Sequence, residues 1–148
     1  GGAAPVGGGG RGRSGAGGRR FAPWGGVGEF EARTRFRMDG RAVFRLATQH
    51  LPGFVDGLLR RAGVTRRELD WVVPHQASAL ALAHLTRRLG FARDRVVDIL
   101  ADHGNQIAAS LPTALDIAVR DGRIRRGQTV LLLGTGAGLS FGGAVLRW

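Results

Sequence analysis

From Phe30 to the end of the chain, short apolar runs alternate with stretches whose apolar residues recur every three or four positions. That alternation of two periods restricts the chain to a layered α/β domain. Phe30, Ala32, Thr34, Phe36 and Met38 fall on one side of a predicted strand, and Asp39-Gly40 turns the chain after it. Asp39 is placed to cap a helix running to about Gly63, carrying Val43, Phe44, Ala47, Leu51, Val55, Leu58 and Leu59 on its apolar side. Pro52 is expected to kink or divide that helix. Leu69 to Val73 reads as a short buried strand, Ala77 to Leu89 as a helix stopped by Gly90, and Val96 to Leu100 as a second short strand or strand-like link. Ile107 to Val119 reads as a helix ended by Asp121-Gly122. Thr129 to Leu133 and Leu139 to Leu146 are strands joined by Gly134-Thr135-Gly136-Ala137-Gly138.

Residues 1–28 belong to a different regime. Their Gly, Arg and Ser content cannot bury enough apolar surface to offset chain entropy, so a disordered segment is expected, followed by one domain over 29–148. The net charge of +11 raises nucleic acid as a partner. All 22 basic residues are arginine, however, and with the abundant Gly and Ala this reads as coding bias; the tail also lacks repeated Arg-Gly-Gly units. No apolar run approaches the roughly 18 residues that span a bilayer, and no basic-then-apolar leader opens the chain, so a cytoplasmic protein off the membrane is expected. There is no cysteine, hence no disulfide and no thiolate metal site. The single methionine is Met38, which points to a truncated or partial reading frame.

Two short motifs carry the chemistry. Pro74-His75-Gln76-Ala77 follows an apolar strand, at the carboxyl end where α/β proteins place functional side chains. His103-Gly104-Asn105 precedes a helix, and Ala108-Ala109-Ser110 follows. An imidazole and a carboxamide from two loops suit a developing oxyanion better than a lone base does. Taken singly, each has a structural alternative, since His and Asn at helix starts commonly cap. His50 and His84 lie on helical segments without carboxylate or cysteine partners and read as surface or packing residues, so no metal is expected. Asp98 and Asp102 lie near His103 with nothing to fix them as a relay. The glycine-rich Gly134–Gly138 stretch has no Gly-Lys-Ser/Thr after it and is not a phosphate loop.

From Met38 to Trp148 the chain resembles the C-terminal half of the β-ketoacyl-acyl carrier protein synthase III family of the thiolase-like superfamily. The resemblance rests on Leu69-Asp70-Trp71-Val72-Val73-Pro74-His75-Gln76-Ala77, His103-Gly104-Asn105, Ala108-Ala109-Ser110, Pro112, Ala118–Ile124 and Gly136–Gly142. It implies a thiolase-like α/β fold, C-terminal half only, with a mixed sheet and packed helices. It also implies a decarboxylative Claisen condensation in fatty acid or polyketide-type biosynthesis, with no cofactor. His75 and Asn105 match the pair that hydrogen-bonds the malonyl thioester oxygen, and Ala137 matches a backbone donor for acyl transfer. Acyl carrier protein or coenzyme A thioesters would be the partners.

Four departures accompany the resemblance. Ser78 stands where an Asn usually helps hold the pantetheine arm, so it becomes the substrate-binding candidate at that position. Leu80 replaces an arginine associated with carrier-protein docking, Gln106-Ile107 replaces Thr-Ser, and the last loop lacks the usual Phe-Gly-Gly-Gly. These weigh against carrier protein as the standard partner and fit a divergent branch. The family's nucleophilic cysteine lies in an N-terminal half that these 148 residues do not include. The chain is therefore expected to work with a cysteine-bearing N-terminal half or as one subunit of a homo- or hetero-oligomer. The alternative is a non-catalytic thiolase-fold partner of a condensing enzyme.

Overall fold

The structure, a computed structural model, describes residues 39–136 and 138–148. The Gly/Arg-rich segment, the strand expected over 30–38 and Ala137 lie outside the described residues.

Helix α1 spans Gly40–Ala62. The Asp39 carboxylate accepts the backbone N–H groups of Arg41 and Ala42, filling donors that have no partner within the helix. At the other end Gly63 takes a left-handed conformation, with φ 65°, and its N–H closes on the last turn. Of the two effects expected of Pro52, division of the helix does not occur: α1 is continuous through it. The buried Leu51, Val55 and Leu59 anchor the helix on both sides of the proline, so packing outweighs the local cost.

Strand β1 (Trp71–Pro74) pairs in parallel with β2 (Thr129–Gly136), and β2 pairs antiparallel with β3 (Ser140–Arg147), giving sheet order β1-β2-β3. The first rung is closed reciprocally by Asp70. Its N–H donates to the Thr129 carbonyl at 2.9 Å, and its carboxylate accepts the Thr129 N–H at 2.8 Å. On the outer edge of β1 the segment expected to be a strand makes one parallel bridge, Val72 to Val96, and is a strand-like link. It passes into the short helix α3 (Leu100–His103); α2 spans Ala79–Leu89 and α4 spans Ser110–Arg120. β2 runs further than its apolar residues alone indicate. Gly134, Thr135 and Gly136 continue the ladder opposite Gly142, Phe141 and Ser140.

Alternation along the strands divides the core in two. Val72, Leu131 and Leu133 face Leu51, Val55 and Leu59 of α1 and Leu82 and Leu89 of α2. Val73 and Val130 face Ala114 and Ala118 of α4, with Val97, Ile99 and Ile124. Small residues at Ser110, Ala114 and Ala118, four apart, form the buried stripe of α4 and let it lie close to the sheet. Gly143 serves α1 in the same way. A Cβ there would stand 2.9 Å from Leu58 Cδ2 and 3.0 Å from the Leu132 carbonyl oxygen.

Large apolar side chains nevertheless remain in water: Phe44, Leu46, Leu80 and Ile107 are exposed, the last two at 77%. Leu111, Leu115 and Ile117 on α4 are only half-buried. The isolated chain is expected to bind a hydrophobic dye and to self-associate in sedimentation. A monodisperse monomer with a cooperative thermal transition would contradict this.

Candidate active site

The site is assembled where β1 leaves the sheet. His75, the first residue beyond the strand, donates its backbone N–H to the Leu133 carbonyl at 2.7 Å, so its main chain is still registered on β2. Gln76 is wholly buried. Its carboxamide nitrogen donates to the carbonyls of Pro74, at 2.9 Å, and Val97, at 3.1 Å; its oxygen accepts the Ile99 N–H at 3.1 Å. One side chain thereby ties the end of β1 to the link that leads to the second motif. Leaving such buried groups unmatched would cost about 1–3 kcal/mol each.

The second motif bends at Gly104, with φ 61° and ψ −159°, a conformation essentially reserved for glycine. The turn sends Asn105 back towards the first motif. Its Nδ2 donates to the Ala77 carbonyl at 3.2 Å, and its Oδ1 accepts the Ile107 N–H at 2.9 Å. Ile107 holds φ at 56°, uncommon for a β-branched residue and costing about 1–3 kcal/mol. The expected helix over Ile107 to Val119 therefore starts later. A single 3-10 turn, Ile107–Ala109, precedes α4.

The two motifs meet twice. Asn105 bonds the carbonyl two residues beyond His75, and Ser110 Oγ lies 2.6 Å from His75 Nδ1. The imidazole is half-buried, and desolvation pushes its pKa below the ordinary histidine value, so the ring is neutral at neutral pH. Asn105 is exposed, and one of its two amide hydrogens has no partner among the described residues. The arrangement offers uncharged hydrogen-bonding groups at one loop cluster.

Other candidates are placed as follows. Ser78 is exposed, and its hydroxyl oxygen accepts the Ala81 N–H at 3.2 Å as the cap of α2, which starts at Ala79 rather than Ala77. Ala137 lies outside the described residues. The Asp98 carboxylate accepts the Leu100 N–H where α3 begins. His84, expected to be a surface or packing residue, packs its ring against Phe44, and its Nε2 lies 2.9 Å from Thr48 Oγ. Both partners come from α1, a long-range contact that the sequence of α2 does not display. The Gln106 side-chain oxygen is buried with no hydrogen-bond partner among the described residues. A shallow cleft lined by Asp56, Leu59, Arg60 and residues 64–67 contains none of the site residues. Among the described residues no cluster of three or more His, Cys, Asp or Glu side chains is arranged to hold a metal, and no helix is long and apolar enough to cross a membrane.

A family model described as 3-Oxoacyl-[acyl-carrier-protein (ACP)] synthase III C terminal matches residues 59–148, a stretch that includes both motifs. The chain belongs to the 3-oxoacyl-[acyl-carrier-protein] synthase III family. It is 46% identical over 112 residues to the beta-ketoacyl-[acyl-carrier-protein] synthase III of Thiobacillus denitrificans, covering 76% of this chain and 35% of that protein. The crystal structure of the Pseudomonas aeruginosa synthase III superposes with TM-score 0.71 at 42% identity, over 76% of this chain and 36% of that one. The priming beta-ketosynthase of the R1128 polyketide pathway does so with TM-score 0.70 at 40% identity, over 75% and 34%. The chain thus spans little more than a third of the length of the curated relatives that it matches. The three strands and four helices of the described residues are the C-terminal part of a thiolase-like fold.

Proposed function

We propose that this chain supplies the enolate-stabilising half of a β-ketoacyl-acyl carrier protein synthase III-like condensing site, in the cytoplasm. In the step it serves, the bond between the malonyl α-carbon and its carboxylate breaks and CO2 leaves. The electron pair moves into the thioester, and the enolate oxygen takes hydrogen bonds from His75 and Asn105. The enolate carbon then attacks the carbonyl of an acyl group carried on a cysteine. A carbon–carbon bond forms and the thiolate departs. That cysteine comes from an N-terminal half, because the 148 residues contain none. Ser78 at the start of α2 and the backbone N–H of Ala137 contribute to substrate binding and acyl transfer.

The observation carrying this reading is the convergence of His75, neutral through desolvation, and Asn105 with a free amide hydrogen on one loop cluster. Neutral donors fixed in place stabilise a charge that appears only in the transition state. The exposed Leu80, where an arginine would favour an acidic carrier protein, makes a coenzyme A thioester the better substrate.

The test is release of labelled CO2 by the chain combined with a synthase III N-terminal half. Decarboxylation should be faster with malonyl-coenzyme A than with the malonyl carrier protein. The rate should stay flat through neutral pH and fall on the acid side of the ordinary histidine value, because the donor proposed is the neutral imidazole and its pKa is lowered. An acid limb above that value would show that another group controls the reaction.

A further inference from the structure

The topology gathers the arginines at one end of the fold. β1, β2 and the 96–99 link run in one direction, so each helix that returns to the start of a strand ends at the same pole, opposite His75 and Asn105. Arg60 and Arg61 close α1, Arg87 and Arg88 close α2, and Arg120 closes α4. Arg66 and Arg67 lie just before β1. Arg93 and Arg95 lie just before the link, where the Arg95 guanidinium reaches the Leu69 carbonyl at 3.0 Å. Arg123, Arg125 and Arg126 lead into β2, and Arg147, at the end of β3, pairs opposite Thr129. Thirteen of the fifteen arginines among the described residues are thus at this pole; the other two, Arg41 and Arg45, are in the first two turns of α1.

Six carboxylates share the pole, which leaves an excess of seven positive charges. Five of the six are engaged. Asp56, Asp116 and Asp121 pair with Arg66, Arg120 and Arg123, and Glu68 and Asp70 accept the Thr65 and Thr129 N–H groups. Ordinary causes account for part of this. Coding bias sets arginine in place of lysine, but it acts along the whole chain and has no reason to choose one pole. Helix dipoles favour cations in a last turn, but they do not reach the eight arginines in the connections and on β3.

We propose that this pole is a docking surface for single-stranded RNA. Its charge is spread over several connections rather than aimed at one point, which suits a chain of phosphates, and each guanidinium can grip phosphate oxygens two at a time. Arg60, Arg66 and Arg67 line the shallow cleft described above, so part of the surface is concave. Trp148 is only half-buried there, with the Arg126 guanidinium 5.2 Å from the centre of its ring. An aromatic surface on which an unpaired base can stack therefore lies among the charges. A lipid surface fits less well. The exposed large apolar side chains that would enter it, Phe44, Leu46, Leu80 and Ile107, lie at the starts of α1 and α2 and just before α4, at the other pole. The choice of RNA among single strands rests on the cytoplasmic location proposed above; the surface itself does not.

The test titrates the full chain into a fluorescent oligouridine of about 20 nucleotides. Affinity should fall about 50-fold as salt rises from about 50 to about 200 mM, the loss expected when about four phosphates are engaged. Arg67 and Arg93 are exposed, and their side chains make no hydrogen bond among the described residues. Arg67→Glu with Arg93→Glu should weaken binding about tenfold or more. Arg41→Glu with Arg45→Glu changes the net charge equally at the other pole and should weaken it less than about threefold. No binding at the lower salt, or equal losses in the two double variants, would overturn the proposal. So would binding that is lost when Arg11, Arg13, Arg19 and Arg20 become Gln but is untouched by Arg67→Glu with Arg93→Glu. Equal or tighter binding to phosphatidylserine vesicles or to polyglutamate would assign the pole to a membrane or an acidic protein instead. Crosslinking of the parent chain to RNA carrying 4-thiouridine needs no variant to fold. Crosslinks should fall within residues 60–67, 87–95, 120–128 and 147–148; crosslinks confined to residues 1–38, or to the loops of His75 and Asn105, would refute the surface.

Discussion

Replacing His75 or Asn105 by alanine, in a chain combined with a cysteine-bearing N-terminal half, is expected to lower malonyl decarboxylation about 100- to 1000-fold. Acylation of the partner cysteine should survive largely intact. The asymmetry follows from when each donor is needed. The two side chains serve an oxygen that becomes negative only as CO2 departs, whereas acyl transfer draws on backbone N–H groups, one of them proposed at Ala137. Affinity for the malonyl thioester should therefore change much less than the rate. The double variant should fall little further than the worse single one, because both side chains serve one oxygen. Asn105 adds a complication that His75 lacks. Its side chain also bonds the Ala77 carbonyl and the Ile107 N–H, so its loss loosens the turn as well as removing a donor. Asn105→Asp separates the two effects. It keeps an acceptor for the Ile107 N–H but presents a negative charge to the enolate, and it should be no more active than the alanine variant. Near-parent decarboxylation in both His75→Ala and Asn105→Ala would refute the assignment.

The second large effect is an absence of turnover. The chain by itself should form no β-keto product from an acyl-coenzyme A and a malonyl thioester, and no acylated protein should appear by mass spectrometry. Covalent catalysis needs an exposed nucleophile, and there is no cysteine. Ser110 lies 2.6 Å from an imidazole and superficially pairs a hydroxyl with a base, but it is completely buried and cannot reach an acyl thioester. Ser78 is accessible, yet its recorded hydrogen bond is to the Ala81 N–H, with no base beside it. Reproducible turnover by the purified chain would show that the nucleophile lies within these residues after all.

His75 and Asn105 could be picked out of the chain as candidates because each follows a strong local signal. One comes after an apolar strand and a proline; the other follows a glycine whose required backbone angles exclude other residues. Ser110 and Gln76 stood within the same motifs, but their work could not be read there. Ser110 acts across 35 positions and Gln76 across more than 20, so each role exists only once α4 and the 96–99 link are packed beside β1. Pro52 and Gly134–Gly136 erred in the opposite direction. Local rules spoke against a continuous helix and an extended strand, and burial of Leu51, Val55 and Leu59 and the ladder to β3 overrode them. His84 was legible as a packing residue, but its partners Phe44 and Thr48 were not, because they come from another helix.

Because Gln76 spends every amide hydrogen and its oxygen on main-chain groups in the interior, the neighbouring imidazole inherits the rigidity of the core. Its position is then settled when the sheet forms, before any thioester or second polypeptide arrives. Attempts to retune the site by redesigning its surface loops would leave His75 where it is. Moving it would require rebuilding the interior, and the first symptom of such a change would be a lower melting temperature rather than an altered substrate choice.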